Sequence, residues 1–431
     1  MRIAMFTNTY LPHVGGVANS VARFARAYRK KGHQVLIVAP TYRDQENDEK
    51  NIVRIPAIQN FNGSDFSVAL PFGGELESAL DEFRPEILHS HHPFLIGNTA
   101  LRAAAERNLP LVFTHHTMYE HYTHYVPAEM EAMRKYAADL STGYANMCDQ
   151  VIAPSESVES ILRERNVATP VAVVPTGVNL EEFSRGNGGR FRRERAIPDA
   201  AFVIGHVGRL APEKNLAFLA EAVGESLGHI ENSRFLVVGS GPSEKTMLDI
   251  LRKKAPESRL CFAGTCEGED LVNAYHAMDV FVFASKTETQ GMVLVEALAA
   301  SCPVVAVDAP GAREVVQDKK NGRLLMEDDP RDFADAIAWV AKAQTDRRAR
   351  IEREAFETAK PFATDVCVEK ALSVYRETLL RERKSPQKQS SEWASLLRAL
   401  KCEWDIWSNR VRSAADAVAG SNDAETVEES R

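Results

Sequence analysis

The stretch Ser285-Lys-Thr-Glu-Thr-Gln-Gly-Met-Val-Leu-Val-Glu-Ala-Leu-Ala-Ala-Ser-Cys-Pro303 lies between two short apolar runs, Val280-Phe-Val-Phe-Ala284 and Val304-Val-Ala-Val307. Both runs are β-rich and too short for helices, which predicts buried parallel strands. Parallel strands need a crossover, and the stretch between them reads as a helix. The polar Thr289-Gln290 pair and Gly291 mark its start, Leu294, Ala297, Leu298 and Ser301 fall on one face, and Pro303 ends it. Glu288 then occupies the loop at the carboxyl end of the first strand. Glu296 lies about a turn and a half inside the helix and leans toward its amino terminus. Between the two carboxylates, the first-turn amides of residues 291 to 294 are available to an anion.

That arrangement suits a ligand with hydroxyls at two places and phosphate between them, which describes a nucleotide sugar. Two lone glutamates would read equally as a solvated loop acid and an ordinary helix-surface acid. The whole string carries more: Glu288-x7-Glu296, followed by Ala-Leu-Ala-Ala-Ser-Cys-Pro-Val-Val-Ala, resembles the signature of the retaining family 4 glycosyltransferases. The resemblance implies an α/β chain of two doubly wound Rossmann-like domains (the GT-B fold) facing across a central cleft. It also implies that the helix-start residues Gly291, Met292, Val293 and Leu294, with Glu288 and Glu296, hold the donor.

A chain of 431 residues suggests two domains, and 44% hydrophobic with 26% charged residues describes a soluble globular class. The formal charge of −8 argues against a generic nucleic-acid binder. Cys148, Cys261, Cys266, Cys302, Cys367 and Cys402 form no Cys-x-x-Cys pair, so neither a zinc site nor a disulfide framework is indicated, and a reducing cytoplasm fits. The start, Met1-Arg-Ile-Ala-Met-Phe, enters a strand pattern without a signal peptide's apolar core. No run reaches the roughly 18–20 apolar residues of a spanning helix.

Strand runs alternate with helical patterns through residues 1–180, the expected amino-terminal, acceptor-side domain: Arg2 to Thr7, Gln34 to Ala39, Ile52 to Ile58, Ile87 to Ser90, Leu111 to Thr114, Gln150 to Ala153 and Val171 to Val174. The loop Asn8-Thr-Tyr-Leu-Pro-His-Val-Gly-Gly-Val17 sets Gly15-Gly16 ahead of a helix. Paired glycines there serve a tight turn or a close backbone approach to phosphate. The Pro-x-x-Gly-Gly-Val pattern resembles the family's amino-terminal loop, which implies that Gly16 approaches the donor diphosphate. On the helix that follows, Arg23, Arg26 and Lys30 share a face, read as a solvated surface or as a contact for an anionic membrane. The histidines at 89, 91, 92, 115, 116, 121 and 124 crowd two strand ends without the acids or cysteines of a metal set. Thr114-His-His-Thr117 resembles the family segment whose histidine contacts the transferred sugar, and that alignment selects His116. Tyr119-Glu-His-Tyr-Thr-His-Tyr-Val-Pro127 resembles the subset that glucosylates diacylglycerol.

Residues 175 to 200 read as the linker, with Pro175-Thr-Gly-Val-Asn179 similar to the family's linker motif. A second strand series, Phe202 to Val207, Arg234 to Val238, Arg259 to Ala263, Val280 to Ala284, Val304 to Val307 and Arg323 to Met326, marks residues 181–360 as the nucleotide-sugar domain. In its first loop Arg209 and Lys214 are spaced to neutralise a diphosphate, and Glu213 between them offers an ordinary surface ion pair instead. The family pattern Gly-Arg-x-x-x-x-Lys implies the phosphate role. Gly239-Ser-Gly241 reads as a strand-end turn, and Gly264-Thr265-Cys-Glu-Gly resembles the loop that cups the nucleobase through its backbone. Residues 361–384 resemble the family's closing helix, which crosses back to the first domain. Beyond it, residues 385–431 read as a linker, an amphipathic helix with Trp393, Leu396, Leu397, Leu400, Trp404, Trp407 and Val411 on one stripe, and an acidic disordered end from Gly420. The stripe suits a bilayer interface, or packing on the protein body or a partner.

The implied reaction is hexosyl transfer with retention from a nucleotide-diphosphate sugar, UDP-hexose favoured, to an acceptor hydroxyl. Glu288, Arg209, Lys214 and His116 form the catalytic set. No strand-end Asp-x-Asp is present, so no metal or cofactor is expected. A membrane lipid such as diacylglycerol is the favoured acceptor, with a soluble sugar or oligosaccharide as alternative and a nucleotide-sugar 2-epimerase as the alternative of another class. The expected location is cytoplasmic and peripheral on the inner face of the cell membrane.

Overall fold

The computed structural model describes residues 1–13, 15–42, 50–58, 68–69, 74–120, 131–381, 401–410 and 412–413. The chain divides into two compact units, Met1–Pro175 with Cys367–Arg431, and Thr176–Val366.

The first unit contains β1 (Arg2–Phe6), β2 (Gln34–Pro40), β3 (Ile52–Ile55), β4 (Ala57–Ile58), β5 (Val68–Ala69), β6 (Ile87–Ser90), β7 (Leu111–Thr114), β8 (Gln150–Ala153) and β9 (Val171–Val173). Its main sheet runs β3-β2-β1-β6-β7-β8-β9 with every pair parallel, and β4 and β5 form a separate antiparallel pair. The expected single strand over Ile52 to Ile58 is therefore two, broken at Pro56, which has no N–H to give a ladder. Side chains alternate between two cores: Ile3 and Met5 enter one, Ala4 and Phe6 the other. The helix Thr364–Leu380 contributes Val368, Ala371, Leu372 and Tyr375 to the core of Ile3 and Met5, as expected of the closing helix.

The second unit contains β10 (Phe202–Val207), β11 (Ser233–Val238), β12 (Leu260–Phe262), β13 (Val280–Phe283), β14 (Val304–Val307) and β15 (Gly322–Leu325). They are all parallel in the order β12-β11-β10-β13-β14-β15. On β13, Val280 and Val282 pack with Leu219, Val223 and Ile337, while Phe281 and Phe283 pack with Leu294, Leu298 and Ala355. Each buried phenylalanine contributes about 2–3 kcal/mol. A strand buried on both faces reads as a continuous apolar run for this reason. In both units the strand order reverses once, between β1 and β6 and between β10 and β13, and such reversals open a crevice at the strands' carboxyl ends.

The described part of the tail packs on the first unit through a face other than that of Trp404 and Trp407. Residues 401–410 are helical, and Ile406 is buried in the first unit's core with Cys402 packed beside it. Asn409 donates to the Leu140 carbonyl at 3.1 Å, and Glu403 pairs with Arg102. Trp404 and Trp407 point outward, 65% and 55% exposed. The tryptophan stripe is thus not the face that packs on the body. Trp393, Leu396, Leu397, Leu400, Val411 and the acidic end lie outside the described residues.

Candidate active site

In the second unit the loops leaving β10 and β13 meet because those strands are neighbours. The first ends in the short 3-10 turn Pro212–Lys214, and the second carries Ser285 to Gly291. The Lys214 ammonium pairs with Glu288 Oε1, and the Ser285 hydroxyl donates to the same oxygen at 3.1 Å. Burial pushes the Glu288 carboxyl up, but Lys214, Ser285 and His206 outweigh it, and the group lies below its ordinary range as a carboxylate. Arg209, 50% exposed, pairs with Glu213 four residues on. Each of the two expected phosphate cations therefore answers a carboxylate of its own unit.

Beneath this pair, His206 on β10 donates its Nδ1–H to the Val282 carbonyl at 3.1 Å; a carbonyl only accepts, so the tautomer is settled. Burial lowers its pKa to about 4, and it is neutral.

The rest of the loop is held by backbone geometry. Gln290 accepts the Thr176 N–H at 2.7 Å and donates to the Thr176 carbonyl at 2.8 Å. Gly291 has φ +67°, and a Cβ there would sit 2.8 Å from Leu294. Gly311, φ +84°, lies against the same loop: its Cβ would come 2.9 Å from the Gln290 carbonyl carbon and 3.0 Å from Glu288 Cβ. Glycine alone lets the two segments meet this closely.

The helix Met292–Ala299 starts without a side-chain cap. Leu294, Val295, Ala297, Leu298 and Ala299 are buried, leaving Met292, Val293 and Glu296 half-buried together at helical spacing. Expected as part of the helix face, Ser301 lies beyond the helix at φ +59°. Glu296 Oε2 accepts the Tyr275 hydroxyl at 2.9 Å. Burial, then Glu296, holds the Tyr275 phenol well above its ordinary range, so it remains a donor. Thr265, in the loop that follows β12 (Leu260–Phe262), shares a 3.2 Å hydroxyl hydrogen bond with Ser240.

In the first unit, Gly15 is extended at φ −175°, and a Cβ on Gly16, the first residue of helix Gly16–Lys30, would meet nothing within 4 Å. A Cβ on Gly15 would come 3.3 Å from His13 Nε2, so only Gly16 of the pair is unconstrained by its surroundings. On that helix Arg26 and Lys30 are exposed and Arg23 is half-buried. The carboxyl ends of β6 and β7 gather five histidines. His89 bonds Tyr375 at 2.5 Å and Thr114 at 2.7 Å, and His92 Nδ1 accepts the Asn8 N–H at 3.0 Å. The His91 Nδ1 and His116 Nε2 atoms lie 2.9 Å apart, with the rings stacked. Burial lowers His89, His92 and His115 to about 3, His116 to about 4 and His91 well below its usual value. All five are neutral at physiological pH. Among the described residues no group of three or more His, Cys, Asp or Glu is arranged to hold a metal ion. Of the aromatic stretch from Tyr119 to Pro127, with His121 and His124, only Tyr119 and Glu120 fall within the described residues.

Sequence reasoning considered His91 only for metal binding and passed over His206, Tyr275, the Gln290 clamp and Gly311. Gly311 follows Pro310 just past β14, a strand-end turn signal that was available; the others acquire meaning only from strand adjacency.

Residues 14–182 match the family model Glycosyltransferase Family 4, and residues 189–358 match Glycosyl transferases group 1. The chain is 31% identical over 353 residues to the alpha-monoglucosyldiacylglycerol synthase of Streptococcus pneumoniae, covering 80% of this chain and 79% of that one. It is 27% identical over 401 residues to the GDP-mannose-dependent alpha-mannosyltransferase of Corynebacterium glutamicum, covering 90% and 91%. The crystal structure of Anabaena Alr3699/HepE in complex with UDP superposes with a TM-score of 0.69 at 18% identity, covering 88% of this chain and all of that one, and shares the GT-B fold. No helix among the described residues is long and apolar enough to cross a membrane. The chain belongs to the family 4 glycosyltransferases.

Proposed function

We propose that the protein transfers a hexose from a nucleotide-diphosphate sugar, UDP-hexose favoured, to a membrane-lipid hydroxyl of the diacylglycerol type, with retention at the anomeric carbon and without a metal. The observation that carries this reading is the Lys214–Glu288 pair at the β10/β13 reversal, beside a helix start that no side chain caps. A diphosphate brings negative charge that grows as the anomeric C–O bond breaks. Lys214, Arg209 and the first-turn amides of Met292–Ala299 oppose that charge from fixed positions. When phosphate recruits Lys214, Glu288 is released to bind sugar hydroxyls, while Ser285 still donates to it. Glu296, steadied by Tyr275, takes the ribose, and Thr265 lies on the nucleobase loop. The acceptor oxygen bonds to the anomeric carbon on the face the diphosphate leaves, and its proton goes to the departing phosphate oxygen. His116 contacts the far edge of the sugar.

Gly16 is the residue of the first unit that the family resemblance assigns to the diphosphate. The fold requires no glycine there, whereas a ligand approaching the backbone would. The lipid acceptor is supported by the diacylglycerol-glucosylating relative, by exposed Trp404 and Trp407 on a helix anchored through Ile406, and by exposed Arg26 and Lys30. Such a protein would sit peripherally on the inner face of the cell membrane.

Thermal shift across uridine, guanosine and adenosine sugars identifies the donor, and transfer of its labelled hexose to diacylglycerol in anionic vesicles tests the acceptor. Glu288→Ala should fold and lose transfer by roughly a hundredfold or more. Wild-type turnover in that variant refutes the site, transfer only to soluble sugars refutes the lipid, and consumption of donor without an acceptor points to an epimerase.

A further inference from the structure

His91 and His116 lie at the ends of neighbouring strands, and a single 2.9 Å hydrogen bond joins His91 Nδ1 to His116 Nε2. The His91 ring is held between two others, its centroid 4.0 Å from that of His89 and 5.1 Å from that of His116. Burial keeps both imidazoles of the bonded pair neutral, so each ring carries one proton and only one of the two can donate. If His116 donated from Nε2, the His91 proton would sit on its own Nε2. That atom is buried and has no hydrogen-bond partner, which would make it an orphaned N–H. If His91 donates from Nδ1, its Nε2 holds only a lone pair. Buried orphan donors are rarer than under-used acceptors, so the second arrangement prevails.

We propose that His91 is a positioning residue that fixes His116 in the Nδ1–H tautomer, with Nε2 as the acceptor. His116 then carries its proton on Nδ1. For its consequence in transfer, though not for the tautomer, this rests on His116 contacting the sugar: a donor at Nδ1 suits a hydroxyl oxygen, which the other tautomer would meet with a lone pair.

The tautomer is read directly by 15N long-range correlation spectra of histidine-labelled full-length protein at neutral pH, with His116 identified by the signal missing from His116→Gln. The expected wild-type spectrum shows a protonated His116 Nδ1 and a bare Nε2. His91→Phe keeps the stacked ring and removes the donor, and His116 should shift toward a mixture of tautomers. His91→Asn, whose amide N–H lies where Nδ1–H does, should restore the wild-type pattern. Transfer should fall between about threefold and tenfold in His91→Phe, mainly in kcat, and recover in His91→Asn. A His116 carrying its proton on Nε2 in the wild type overturns the proposal, as does an unchanged tautomer in His91→Phe. The spectra need no turnover. A protein with the expected tautomer but no transferase activity would refute the proposed function and uphold the role of His91.

Discussion

Acidification should unfold the first unit well before the second. His89, His92 and His115 are held at about 3 and His116 at about 4, each because burial penalises the charged ring. In the unfolded chain each returns to roughly 6.5. These folded pKa values are depressed, so below about pH 6.5 the unfolded state binds more protons, and stability is lost as pH falls toward the folded values. Each histidine contributes about 1.4 kcal/mol per pH unit in that window, or about 2 kcal/mol at pH 5 relative to neutrality. Four together approach roughly 8 kcal/mol, comparable to the whole stability of a typical domain. His91 adds to this in the same direction. Water entering the opened site would reduce the sum, and half of it would still dominate. In the second unit His206, held at about 4, contributes about 2 kcal/mol by the same arithmetic.

Carboxylates begin to titrate in both units below roughly pH 4.5, so the comparison belongs above that. Hydrogen exchange followed by mass spectrometry between about pH 7.5 and pH 5, corrected for intrinsic rates, gives protection free energies for separate peptides. Peptides from β6 and β7 should lose several kcal/mol more protection than those from β13 and β14. Equal losses in the two pairs would refute the burial of neutral histidines as the source of acid lability.

Three substitutions test single contacts. Gly16→Val should leave stability within about 0.5 kcal/mol, since the fold has room for the side chain, but weaken donor-induced thermal stabilisation by tenfold or more in apparent Kd; undiminished donor binding would remove Gly16 from the site. Tyr275→Phe keeps the packing and deletes the bond to Glu296, so donor KM should rise about fivefold with kcat nearly constant; a fall confined to kcat would contradict a role in donor binding. Gly311→Ala must hold a left-handed backbone and push on the Glu288 loop, which should destabilise the protein by about 2 kcal/mol in denaturant titration and lower kcat/KM; a neutral result on both would show that the loop contact is not restrictive.

The strands were legible because a doubly wound sheet buries both faces, leaving runs such as Val280 to Ala284 with no polar residue to obscure them. The helix Met292–Ala299 was legible from its glycine start. The partnerships that shape the site were not. Lys214 meets Glu288 only because β10 and β13 are neighbours across the strand reversal, and His91 meets His116 only because β6 and β7 are. Periodicity within one segment carries no information about which segment lies alongside.

The tail shows a second limit. Helical spacing identified the stripe containing Trp404 and Trp407, and hydropathy suited it equally to a bilayer interface and to packing on the body or a partner. Yet the face that packs carries Cys402, Ile406 and Asn409, because the neighbouring helix has Gly143 at the crossing. A Cβ on Gly143 would sit 1.7 Å from the Asn409 side-chain oxygen, so the missing side chain is what lets Asn409 reach the Leu140 carbonyl. A polar anchor in a glycine notch thus outranks an apolar stripe. The two indoles stand 65% and 55% exposed beside that packed face, which is why their exposure bears on what the protein binds.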